Sequence, residues 1–262
     1  MKNLETYSLY NGEVKLLFSP GKHQYFVGES QIDGCTGILS ALGKPAIPQW
    51  AVNTCLDFIK EKLKPGQALD EIELKALLDE AKYAHTRKRD KAGDIGTMVH
   101  AYCEDWIKGK EPAIPFNDKV RNGANAFLDW VEKHNVKFTE SERKIYSRRY
   151  RYAGTLDAEG LVDGKLSIID FKTGSAIYPE MRFQTAAYEA ARREESGLQY
   201  TRWIIRLGKD DGEFEAKEFG DLDKDFSAFL GIFDTYKRLK VLKEQEKNEV
   251  KQREQTTIRV QG

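Results

Sequence analysis

Residues 154–172 read GTLDAEGLVDGKLSIIDFK, and Asp163-Gly164 in their middle decides how they are read. An Asp-Gly pair between two strand-like runs signals a two-residue type I′ turn, because both central positions need positive φ. Such a turn sets Val162 opposite Lys165, and counting outward sets Asp157 opposite Asp170 and Thr155 opposite Lys172. Side chains alternate along a strand, so an unbroken ladder puts Asp157, Asp170 and Lys172 on one face of the sheet; a bulge would shift that register by one. Two carboxylates about 5 Å apart across a ladder repel, so the pairing gains no stability by itself. A divalent cation between them removes the conflict, and oxygen donors suit Mg²⁺ or Mn²⁺. Ile168, Ile169 and Phe171 mark a buried strand, where unpaired charge is costly. Acid, acid and lysine are the groups that metal-assisted phosphodiester hydrolysis uses.

Outward from this hairpin, the chain divides by periodicity. Val14 to Glu29 reads as a hairpin around Ser19-Pro20-Gly21-Lys22, Cys35 to Leu42 as a short helix ending at Gly43, and Gln49 to Lys62 as a helix stopped by Pro65-Gly66. Asp70 to Lys88 is a helix, and Asp94 is expected to cap a separate one running to about Lys108. Asn117 to His134 is a third long helix. From Lys137 the pattern turns to β. Pro179 to Glu195 is helical, with Gly197 past its end, and Tyr200 to Leu207 is a strand. Asp223 to about Lys251 is a charged helix expected to fray into a disordered tail. The divisions are an N-terminal hairpin and helical region over 1–92 belonging to the same fold, a core over 93–210, and a C-terminal helix and tail over 211–262.

The 262 residues are 40% apolar and 32% charged with a net charge of zero, so the overall balance names no partner. Local runs say more. Lys82–Lys91 (KYAHTRKRDK) holds five Lys or Arg against one Asp, and Arg143–Arg151 (RKIYSRRYR) holds five basic residues and no acid. Such clustering can build a basic groove on a neutral protein. Arg148, Arg149 and Arg151 alternate with Tyr146, Tyr150 and Tyr152, a pattern that can follow phosphates and stack unpaired bases; Arg87, Lys88 and Arg89 form a second set. The competing reading puts the tyrosines in the core and the arginines in water. Three scattered cysteines without a CxxC pair predict no zinc ribbon and no iron–sulfur cluster, and suit a reducing cytoplasm. No run is long and apolar enough for a membrane span or a signal core.

GTLDAEG (154–160), IIDFKTG (168–174) and QTAAY (184–188), with GTMVH (96–100) upstream, resemble the PD-(D/E)xK nuclease superfamily, and within it the RecB-type exonuclease branch. That branch includes phage-encoded exonucleases and the mitochondrial genome-maintenance exonuclease, and HQYFVGESQIDGCTGILSALGKP resembles the opening of phage members more loosely. The likeness spans about Gly93 to Ala190. It implies an α/β, restriction-endonuclease-like core, a central mixed sheet flanked by helices. It also implies that His100, Asp157, Asp170 and the Phe171 carbonyl hold Mg²⁺ or Mn²⁺, and that Lys172 is catalytic. Gln184 and Tyr188 would place substrate or Lys172, and Glu142 would act behind the ligands. The superfamily's nominal proline is absent, Leu156 preceding Asp157. A G-x-x-x-x-G-K-[ST] loop is also absent, so no ATP is expected. The implied activity is a metal-dependent DNA exonuclease of phage or bacterial recombination or repair, with a recombination or single-strand-binding protein as candidate partner. A catalytically silent DNA-binding module and a structure-specific endonuclease are the alternatives.

Overall fold

The computed structural model describes residues 4–260, with side chains to Lys251. Nine strands form one mixed sheet. Four come from the N-terminal region: β1 (Glu5–Leu9), β2 (Val14–Ser19), β3 (Gln24–Val27) and β4 (Ser30–Gly34). β1 and β4 escape sequence reading because they are short and largely polar. α1 (Cys35–Leu39) follows, extended by a 3₁₀ turn to Leu42, and then α2 (Ala46–Lys62), α3 (Glu71–Lys82), α4 (Ala84–Ile107) and α5 (Asp118–Lys133). Asp70 caps α3 through a capping box with Glu73.

The helix expected over Asp70 to Lys88 is broken instead at Tyr83, and Asp94 caps nothing: it lies inside α4. Gly96 explains why α4 runs through this Gly-rich stretch. A Cβ there would meet Thr173 Oγ1 at 2.7 Å, so the glycine lets α4 lie directly against the segment at Thr173.

β5 (Lys137–Ser147), β6 (Tyr152–Val162) and β7 (Lys165–Lys172) follow, then α6 (Pro179–Ser196), β8 (Thr201–Leu207), β9 (Phe214–Phe219) and α7 (Leu222–Val260). Asn117 caps α5 and Gly197 ends α6 at φ 72°, as their sequence positions predict. α7 continues helical past Lys251 to Val260; the end of the expected tail lies outside the described residues.

Helices cover both faces. α4 and α5 bury Val99, Cys103, Phe127 and Trp130 against Phe171 and Ile205. α6 and α7 bury Ala187, Tyr188, Phe229 and Phe233 against Leu156 and Ile168. The latter layer is pinned by Arg202 of β8, which is fully buried and lies 2.9 Å from Asp225 of α7 and 3.2 Å from Glu189 of α6.

Glu189 gives this layer a pH signature. Burial pushes its carboxyl up to about 6 from an ordinary 4.5, against the opposing charges of Arg202 and Arg193. A raised acid favours the folded state while protonated, so its contribution is complete below about pH 4.5 and is lost as pH rises through 6. Denaturation of wild type and Glu189→Gln from pH 4.5 to 7 should show wild type losing about 1–2 kcal/mol relative to the variant. Parallel curves would contradict this assignment.

β6 determines where the site lies. β5 pairs with it along one edge from Tyr152 to Leu161. The other edge is shared. β4 runs parallel to its start through Asp33–Tyr152 and Gly34–Ala153, and β7 runs antiparallel to its end from Ala158–Ile169 to Val162–Lys165. Between these ladders, the edge at Gly154–Asp157 has no strand partner, and a gap opens in the sheet. Ligand sites favour such divergence points, where backbone and side-chain groups face a crevice.

Candidate active site

The hairpin forms as its turn residues dictate. Asp163 and Gly164 have φ of 50° and 79°, and Val162 pairs with Lys165. The ladder stops at Ala158–Ile169, one step short of the two aspartates. In this pattern Phe171 N–H points towards β6, where the Leu156 carbonyl would receive it. The Asp157 carboxylate receives it instead, Oδ2 accepting at 2.7 Å. Leu156 and Ala158 consequently belong to opposite cores, although strict alternation would put them on one face. Glu142, across from Asp157 in the β5–β6 register, matches this irregularity with a φ of 52°.

The expectation of one shared face is therefore corrected. Asp170 and Lys172 project towards α6, as alternation from Ile168 requires, whereas Asp157 lies in the strand gap and reaches the α4 side. There its Oδ1 is 3.7 Å from His100 Nδ1. The groups still converge, because the gap lets one cavity of about 540 Å³ take in His100, Glu142, Asp157, Asp170, Phe171 and Lys172.

Asp170 is 2% exposed, and its Oδ2 forms an ion pair with Lys172. Lys172 Nζ also donates to Gln184 Oε1 at 3.3 Å, and Gln184 Nε2 donates to Tyr188 Oη at 2.6 Å. Gln184 and Tyr188, one turn apart on α6, thus form a file behind the lysine. Gly154 makes room for it, since a Cβ there would stand 2.7 Å from the Tyr188 ring.

Burial raises the Asp157 carboxyl, reinforced by Asp170 and opposed by His100 and Lys172. Burial works against the Lys172 charge, but Asp170 and Asp157 outweigh it and hold the ammonium protonated above its ordinary range. Lys172 is accordingly a cation at neutral pH, able to offset negative charge. Glu142 is also raised, by burial and by the Asp157 charge, and lies 3.6 Å from Lys144.

The expected nucleic-acid contacts fare differently. Tyr152 is fully buried, its hydroxyl donating to the Ala187 carbonyl, so it cannot stack on a base. Arg148 pairs with Glu13 and lies over Tyr10, Arg149 lies over Tyr150, and neither they nor Arg151 lines the cavity. The alternating pattern there is a core strand and turn with solvated arginines. Arg87 caps the Glu80 carbonyl and packs on Phe58, while Lys88 and Arg89 stay exposed. Arg89 is three helical turns before His100 and shares its stripe of α4.

The sequence does not point to the cavity's far wall. His23, Gln24 and Gln31 from the N-terminal strands line it, with Tyr25 Oη 2.8 Å from Thr155 Oγ1 and 3.3 Å from His23 Nε2. Tyr236 of α7 closes one end, 3.4 Å from Asp33. The β4–β6 pairing brings the N-terminal strands to the site, and α7 brings Tyr236.

No family model and no curated protein sequence matches the chain. Among solved structures it is similar to a candidate exonuclease from Eubacterium rectale, at 11% identity and a TM-score of 0.33 over 54% of this chain and 68% of that one. It is also similar to an alkaline exonuclease from Laribacter hongkongensis, at 15% identity and a TM-score of 0.30 over 57% of this chain and 84% of that one. Likeness at this level leaves the site to be judged by its own residues.

Proposed function

We propose that this chain is a metal-dependent deoxyribonuclease, acting as an exonuclease at DNA ends. The observation that carries the reading is the convergence of Asp157, Asp170, Lys172 and His100 on one cavity at the split in the sheet. Two carboxylates facing one cavity repel each other, and a divalent cation between them would remove the conflict.

The donors fit a hard divalent ion in kind: carboxylate oxygens, the Phe171 carbonyl and one imidazole. Asp170 Oδ2 is buried with the Lys172 ammonium as its ionic partner, and a carboxylate oxygen so placed has a further lone pair to offer a cation. Among the described residues no three His, Cys, Asp or Glu side chains already stand in ligating geometry, so the ion would have to draw them together. Asp157, Asp170, His100 and the Phe171 carbonyl would hold Mg²⁺ or Mn²⁺. When bound, the ion would polarise the phosphoryl oxygen and lower the pKa of a water.

The chain's own groups supply the rest. Lys172, held by Gln184 and kept charged by the carboxylates, offsets negative charge as the phosphorus becomes pentavalent. Tyr188 fixes the Gln184 amide and so the direction of the lysine. Phe171 N–H holds Asp157 in one rotamer, which limits the reorganisation needed at the reacting centre. Lys88 and Arg89, exposed on α4 upstream of His100, are candidates for contact with the phosphate backbone.

End-labelled linear DNA and closed circular DNA, each incubated with Mg²⁺ or Mn²⁺, test the reading. Shortening of the linear form alone is expected. Linearised circles would make the enzyme an endonuclease, and no cleavage of either with both metals would leave a silent DNA-binding module.

A further inference from the structure

A second cavity, of about 780 Å³, adjoins the site and shares Thr36, Lys172 and Gln184 with it. The 3₁₀ turn after α1 and the start of α2 form one wall, and the first turn of α6 forms the other. Its surface is mainly apolar, supplied by Leu39, Ile47, Pro48 and Met181, while Lys44 and Glu180 are its only charged groups besides Lys172. Ile47 is 48% exposed within it. The volume falls in the range of small-molecule sites.

We propose that this trough receives the unpaired base of the nucleotide whose phosphate meets Lys172, so that the substrate enters as an unstacked single strand. The identity of that phosphate rests on the nuclease reading above.

The argument for a base is chemical. The cavity mouth at Lys172 and Gln184 suits a phosphate, with a cationic donor and an amide. One step away the lining turns aliphatic, and a nucleotide changes character over the same distance, from a charged phosphate to a flat, weakly hydrated base. Within a duplex both faces of a base are stacked and its edge is paired, so the trough offers a duplex nothing. An unstacked base exposes both faces to water, and burying them against Ile47, Pro48 and Met181 recovers part of the lost stacking. Ile47 and Pro48 are exposed in the trough and not part of the core.

The test uses binding, independently of cleavage. Fluorescence anisotropy in EDTA would compare three labelled DNAs of one length: a single strand, the same strand with abasic residues at the three positions of each end, and a blunt duplex. Wild type should bind the normal single strand about tenfold more tightly than the abasic-ended one, as burying part of a base face against aliphatic side chains would give. Ile47→Ser combined with Met181→Ser, checked for an unchanged melting curve, should bring that ratio close to one while leaving duplex binding unaltered. The proposal is overturned if removing the bases costs wild type nothing, or if the double variant keeps the full ratio. Loss of the ratio in the variant, in a protein that cuts no DNA with either metal, would sustain the base subsite and reject the nuclease reading.

Discussion

Asp170→Asn is expected to lower Mg²⁺- or Mn²⁺-dependent DNA cleavage on the order of 10³-fold or more. The substitution keeps the shape of a side chain that is 2% exposed and removes only its charge. It deletes a buried carboxylate that faces the cavity, and it takes from Lys172 the first of the two charges that hold its proton. Both effects act on the chemical step, so kcat should fall while DNA affinity in EDTA is retained. Lys172→Ala should cost about 10²–10³-fold by removing charge stabilisation alone. Rates within threefold of wild type for a folded Asp170→Asn protein would remove the site from this cavity.

Arg202→Leu should destabilise the fold by about 3–5 kcal/mol, because it removes the cation shared by two carboxylates in the interior. Glu189 and Asp225 are 5% and 6% exposed and both face Arg202, which has no exposure at all. Asp225 keeps a second partner in Arg182 at 3.1 Å, whereas Glu189 keeps none as close. Adding Glu189→Gln and Asp225→Asn to Arg202→Leu should recover at least about half of the loss in a urea titration. No recovery would mean that the cost is lost packing of the long arginine stem and not unpaired charge.

Much of this fold was legible because its key signals are local. An Asp-Gly pair demands positive φ, and the ladder it starts follows without further information down to Ala158–Ile169. Asn117, Gly197 and Pro179 mark their helix ends by the same local logic. The misreadings come from tertiary context. Alternation predicts one face for Asp157 and Asp170, but a side chain capturing Phe171 N–H interrupts it, and the strained Glu142 that accompanies this carries no sequence sign. Asp94 has the chemistry of a cap, yet packing of Gly96 on Thr173 rewards an unbroken helix. The Arg-Tyr alternation around Tyr152 suits a nucleic-acid surface or a buried strand equally well, and only burial separates the two. The far wall of the cavity is formed by residues more than a hundred positions from Asp157, joined to it through two residue pairs of β4 and β6.

Asp157 serves two masters, closing the end of a hairpin with the same oxygen pair that faces the crevice. Architecture and reactivity are thereby welded together at one position. A descendant of this protein released from selection for turnover could not shed the acid as neutral drift, because the hairpin's last rung would fray with it. Retention of that aspartate across diverged copies would then be a poor witness to retained activity, and Lys172, whose side chain closes no rung of the sheet, the better one.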